Sequence, residues 1–160
     1  EMCIRDRAVA TKTPTMWGFQ AEGSAPLVAG HPIDDPDTVA TAIRIGNPAS
    51  WDTAIAARDD SGGLIEAVSD TEIIAAQRFL SSRDGVFVEP GSAAGVAGLI
   101  KKHEQGQVPA GARIVITVTG HGLKDPQWAV KGAEAEDPHA AEPVRVDFDV
   151  VSVASALGLE

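Results

Sequence analysis

Two rhythms of apolar residues alternate along this chain. Over residues 112–118 the run is β-type and unbroken, with Ile114, Val115 and Ile116 apolar on both faces. A strand covered on both faces reads this way, so the pattern predicts a central, parallel strand. Residues 64–68 read as a short strand and residues 86–88 as a short buried one. Helix-type spacing fills the gaps between them. Ser69 and Glu72 carry the capping-box signature, in which each side chain satisfies a backbone N–H of the other residue. A helix over 70–82 follows, with Ile73, Phe79 and Leu80 toward a core and Ile74 near the edge of that face; Asp84-Gly85 stops it.

Asn47-Pro48 predicts another helix start, a capping side chain followed by proline at the first helical position. That helix runs through Trp51 and Ile55 to about Arg58, and Gly62-Gly63 ends it. Residues 91–105 form the next helix. Alanine and glycine in its first half allow a close neighbour. Its second half, Lys101-Lys102-His103-Glu104, reads as a solvated end whose cations suit the C-terminal dipole. Residues 23–28 suggest a short helix and 31–37 a surface connection. Asp125-Pro126 caps a helix carrying Trp128 and Val130, 132–145 reads as an exposed linker, and 149–157 as a short terminal helix packing back on the body. Alternating helices and short strands place the chain in the α/β class.

The strand predicted over 112–118 runs into Thr119-Gly120-His121-Gly122-Leu123-Lys124-Asp125-Pro126. Parallel α/β sheets place ligands where a buried strand gives way to such a loop and then a helix. By itself the loop is also a tight strand-to-helix turn. Gly120-x-Gly122 lacks the third glycine of a dinucleotide fingerprint, and no Walker loop is present. Asp60-Ser61-Gly62-Gly63 matches a serine-protease nucleophile motif in letters only, because no His and Asp fall in order around it.

This loop, taken with Trp17-Gly18-Phe19-Gln20, Ala40-Thr41-Ala42-Ile43-Arg44-Ile45-Gly46-Asn47-Pro48 and Glu89-Pro90-Gly91-Ser92-Ala93-Ala94, resembles the threonine synthase family. That family belongs to the tryptophan-synthase-β-like enzymes that use pyridoxal 5'-phosphate (PLP). The resemblance runs from about Trp17 onward and corresponds to the C-terminal portion of such an enzyme. It implies a three-layer αβα fold with a mainly parallel central sheet. Residues 1–15 match poorly and the first few look artefactual; 16–131 would be the C-terminal part of the large domain, and 132–160 a linker with a terminal helix. The implied parent reaction converts O-phospho-L-homoserine and water to L-threonine and phosphate.

The resemblance also implies roles for individual residues. Thr119 and Gly120 lie at the cofactor, with the Thr119 hydroxyl at the pyridine nitrogen. Ala42 packs on one face of the ring. Glu89 is either a cofactor-pocket residue or simply a favourable partner for a helix N-terminus. Ser92 reads as a helix cap or as a pocket residue, and His121 as a loop hydrogen-bonder rather than a proton carrier. A PLP enzyme needs a Schiff-base lysine. The lysines here are Lys12, Lys101, Lys102, Lys124 and Lys131. In the family that lysine and the phosphate-binding loop lie upstream, so no catalytic residue is expected in this segment, and alone it is expected to be inactive. Expected partners are the missing N-terminal portion, the small-molecule substrate and, in the full-length protein, a second copy in a homodimer. Alternatives are a dehydratase-type PLP lyase of the same fold, a split enzyme with a separate N-terminal chain, and a non-catalytic Rossmann-like binding module.

Composition narrows this only a little. Hydrophobic residues make up 44% and charged residues 22%, ordinary for a globular domain of 160 residues. The net charge of −10 argues against nucleic acid and anionic membrane surfaces as partners. No apolar run approaches the roughly 20 residues of a membrane span, and a cytoplasmic setting is expected. The lone Cys3 can form no internal disulfide, and no Cys/His spacing suggests a metal. Apolar surface meant for the missing portion is expected to leave the isolated chain poorly soluble.

Overall fold

Strand β1 (Trp17–Ala21) pairs in parallel with β2 (Leu64–Val68), Trp17 opposite Leu64 and Ala21 opposite Val68. The computed structural model describes residues 12–131 and 145–159. The crossover between the strands holds α1 (Pro26–Ala29), a 3-10 turn at Thr41–Ile43, and α2 (Trp51–Ser61). After β2 come α3 (Asp70–Phe79), a π-helical turn at Leu80–Asp84, and α4 (Pro90–Glu104). A second 3-10 turn (Gly122–Lys124), α5 (Pro126–Lys131) and α6 (Val150–Ala156) complete the described elements.

The core lies between the strand pair, α3 and α4. Ala21, Val68, Ile73, Ala76, Val88, Ala93, Ala94 and Ala97 are buried there, and Phe19, Ile43, Leu80, Ile100 and Ile116 pack around them. The buried face of α4 carries mostly small residues, and this decides how close β1 can come. A Cβ placed on Gly98 would fall inside the Phe19 ring. The absent side chain is the space the ring occupies.

Helix α3 begins as its sequence predicts. The Ser69 hydroxyl accepts from the Glu72 N–H at 3.2 Å, and the Glu72 carboxylate accepts from the Ser69 N–H at 2.6 Å. Lys101 adds its ammonium to Glu72 at 3.4 Å. Burial works against the Glu72 charge, but the bonds from Ser69 and the Lys101 charge outweigh it and hold its pKa below the usual value.

Several expectations change in three dimensions. Phe79 is half exposed, because the inward face of α3 runs through Ile73, Ala76 and Gln77 and on to Leu80. Helix α2 starts at Trp51, with Ser50 rather than Asn47 at its cap position. The Ile33 N–H donates to Gly46 O at 2.9 Å and keeps that stretch out of the helix. Lys102 is 4% exposed, not solvated; it reaches back to Glu66 on β2 and to Gln107. Residues 86–88 form no strand. Val88 alone bridges to His121, antiparallel, while Val86 is exposed.

The largest departure concerns residues 112–118. Among the described residues they belong to no strand, Ile114 is half exposed and Val115 is 94% exposed. Ile116 alone turns inward, against α4 at Gly95. The described sheet therefore has two parallel strands. Helix α6 forms where expected, with the Asp149 carboxylate accepting from the N–H groups of Val151 and Ser152. It does not pack back: Val150, Val151, Val153 and Leu157 are all exposed. Of the linker expected over 132–145, residues 132–144 lie outside the described residues, as does the side chain of Val130.

Two tests follow from this packing. Gly98→Ala must push Phe19 or α4 aside, and overpacking of this kind costs about 1–3 kcal/mol. A urea melt should show the loss, and an unchanged midpoint would mean that strand and helix can part freely. The lowered Glu72 pKa has a definite sign: its stabilisation is present above the ordinary carboxylate value and fades as pH falls through the depressed folded value. Glu72→Gln should therefore flatten the acid limb of a melting-temperature profile, and an acid limb identical to the parent's would contradict this.

Candidate functional site

Three pieces of chain meet at the N-terminus of α4: the 3-10 turn bearing Ala42, residues 89–92, and the loop 119–125. Backbone bonds join the last two. The Glu89 N–H donates to Gly120 O at 3.0 Å, and the Gly122 N–H to Phe87 O at 3.2 Å. The Thr41 hydroxyl ties in the turn, donating to the Asp125 carboxylate at 2.7 Å. Gln127 donates to the other Asp125 oxygen, so this buried carboxylate is used from two sides.

Ser92 is the centre of the junction. Its Oγ accepts from the N–H of Thr119 at 3.0 Å and of Gly120 at 2.7 Å, and it stands 3.0 Å from Thr119 Oγ1. It is not a helix cap. Glu89 occupies the cap position of α4 without a side-chain capping bond. Thr119 itself is exposed, while its hydroxyl lies against that of buried Ser92. Ala42 is exposed on the neighbouring wall, and a Cβ on Gly91 would lie 3.2 Å from the Ala42 methyl.

Glu89 is 5% exposed and pairs with Lys124 at 3.2 Å. Its carboxylate fills the space where a Gly120 side chain would stand. A buried carboxylate needs such a partner, because desolvation disfavours the charge. Lys124 is largely exposed and supplies the pairing from the rim. Of the other lysines described, Lys101 donates to Ala67 O at 3.1 Å and Lys102 is locked onto Glu66, both away from this junction.

His121 acts as its loop position suggests. Its Nδ1 accepts from the Leu123 N–H at 3.2 Å and opens the second 3-10 turn. In the neutral ring the proton is therefore on Nε2. The ring also meets Phe87 edge-on, 5.5 Å between centroids. Thus Thr119, Gly120, Ala42 and Glu89 converge at one place, joined by Ser92 and by two residues sequence reading gave no role there, Lys124 and Asp125. The Gly-Leu-Lys-Asp spacing held that signal: a turn of this length aims Lys124 and Asp125 back at the α4 N-terminus.

The residues of the junction are ones that could hold a flat heteroaromatic cofactor. Small, exposed Ala42 and exposed Thr119 stand beside a glycine with no room for a side chain. Two surface concavities lie elsewhere, about 540 Å³ beside Arg145, Asp147 and Ser152 and about 320 Å³ beside Gln77, Arg78 and Phe87. Neither includes Thr119, Ala42 or Glu89. Among the described residues no group of His, Cys, Asp and Glu could hold a metal, and no helix is long and apolar enough to cross a membrane.

A parallel strand pair under helices, with a glycine loop meeting a helix N-terminus, is an α/β arrangement with a candidate ligand site. Residues 5–120 match the pyridoxal-phosphate dependent enzyme family, and the chain belongs to it. It is 50% identical over 92% of its length to a threonine synthase of Synechocystis sp., and 51% identical over 84% to one of Mycobacterium bovis. The chain spans 37% and 38% of the length of those two relatives. Among solved structures, a fungal L-serine ammonia-lyase from Rhizomucor miehei shares the fold, with TM-score 0.57 and 17% identity over 80% of this chain and 44% of that one.

Gly120→Ala tests the junction directly. The new methyl overlaps the Glu89 carboxylate and must expel it or the loop. We expect a loss of about 1–3 kcal/mol in chemical denaturation. Stability equal to the parent's would show that Glu89 is not held against this glycine.

Proposed function

We propose that this chain is the C-terminal part of a threonine synthase, an enzyme that converts O-phospho-L-homoserine and water to L-threonine and phosphate with PLP. The observation that carries this reading is the convergence of Thr119, Gly120, Ala42 and Glu89 on one open junction, in a chain about half identical to threonine synthases. Bound PLP supplies an electron sink for carbanions formed on the substrate.

This chain's residues then do the following. Thr119 offers its hydroxyl to the ring nitrogen. A neutral hydroxyl, unlike a carboxylate, does not hold that nitrogen protonated, so it moderates the sink. Ala42 covers one face of the ring. Glu89 lines the pocket as a carboxylate whose charge Lys124 balances, 3.2 Å away. Gly120 keeps the loop backbone close to Glu89. The Schiff-base lysine and most substrate-carboxylate contacts belong to the rest of the parent enzyme, which acts in the cytoplasm as a homodimer. A dehydratase-type lyase is the competing reading. The roughly 50% identity to threonine synthases favours the first.

Two measurements decide. The isolated chain, mixed with PLP and reduced with borohydride, should carry no covalent cofactor, and a stoichiometric lysine adduct would overturn the assignment of the anchor to the absent portion. The full-length protein should release phosphate from O-phospho-L-homoserine. Deamination of L-threonine without that release would make it a dehydratase.

A further inference from the structure

The Ser92 hydroxyl is placed to decide which way the Thr119 proton points. A serine oxygen has two acceptor lone pairs and one proton. Both lone pairs of Ser92 Oγ are taken, one by the Thr119 N–H at 3.0 Å and one by the Gly120 N–H at 2.7 Å. The contact between the two hydroxyls, also 3.0 Å, must therefore use the Ser92 proton. Ser92 is the donor and Thr119 Oγ1 the acceptor. Among the described residues no carbonyl or carboxylate accepts from Thr119 Oγ1, so its own proton is left for a ligand.

We infer that Ser92 is a positioning residue that makes Thr119 a hydrogen-bond donor toward a ligand nitrogen bearing a free lone pair. This rests on the cofactor reading above and deepens it. An unprotonated pyridine nitrogen satisfies the outward Thr119 proton, whereas a pyridinium N–H would oppose it. The bias comes from two backbone amides, one of them on buried Gly120, which cannot turn away without breaking the loop. The titratable side chains around the junction are Glu89, Lys124, Asp125 and His121. None bonds to either hydroxyl.

The test uses the full-length holoprotein carrying PLP labelled with ¹⁵N in the ring, and reads the ring-nitrogen resonance against pH. In the parent the resonance should stay in the unprotonated range. In Ser92→Ala the freed Thr119 hydroxyl can rotate and accept, so protonation of the ring nitrogen should become easier by about tenfold, the size of one hydrogen bond. Ser92→Thr, which keeps the hydroxyl, should restore the parent profile. Ser92→Cys, with its weak S–H donor, should move the same way as alanine and serves if Ser92→Ala fails to fold. Thr119→Val should abolish the effect of any change at Ser92. As a readout without cofactor, the Thr119 and Gly120 amides of the apoprotein should exchange faster in Ser92→Ala and Ser92→Cys. A ring-nitrogen profile unchanged in Ser92→Ala or Ser92→Cys overturns this inference while leaving the cofactor reading intact. A parent protein that retains no PLP overturns both.

Discussion

The close approach of α4 to the strand pair is the constraint on which the rest depends. The buried side of that helix presents Ser92, Ala93, Ala94, Val96, Ala97 and Gly98. Side chains this small bury little apolar area each, but they let neighbouring backbone and the Phe19 ring come close. The same closeness sets the N-terminus of α4 beside the loop 119–122. A helix with larger residues at these positions would stand off, and Ser92 could not reach two amides of that loop.

Polar groups buried by this packing are satisfied in detail. Among the described residues no buried side-chain nitrogen or oxygen lacks a partner. Gln77 donates to Val88 O at 2.7 Å and holds the chain just ahead of Glu89. Lys102 crosses to Glu66 and Gln107, fastening the far end of α4 to β2. Thr38 and the Val39 N–H both bond Asp70 at the start of α3, and the 3-10 turn bearing Ala42 follows immediately. Each wall of the junction is thus anchored to the core by bonds that are costly to break in a low-dielectric interior.

Residues 112–118 are the counter-example. Residues 114–118 are all β-branched, with Ile114, Val115 and Ile116 apolar on both faces, yet Val115 is 94% exposed and no ladder forms among the described residues. A strand takes its hydrogen bonds from neighbouring strands, and propensity alone cannot supply them. Among the described residues no strand pairs with this segment, and the chain spans 37–39% of the length of these threonine synthase relatives. What sequence can state is the demand for neighbours; whether they are present is a separate matter.

Local chemistry was legible wherever a few adjacent residues settle the outcome. The Ser69–Glu72 capping box, the left-handed glycines that end α2 and the π-helical turn, β2, and α4 with its small-residue half all follow from short-range rules. The resemblance in four separate motifs also named Thr119, Gly120, Ala42 and Glu89 as one group. Tertiary structure alone decided the burial of Lys102, the outward turn of Phe79, the later start of α2 and the exposed α6, because each depends on what faces the residue across space. It alone also showed Ser92 joined to Thr119 from 27 positions away. A hydroxyl's role is set by which of its lone pairs are taken, and no one-dimensional pattern records that.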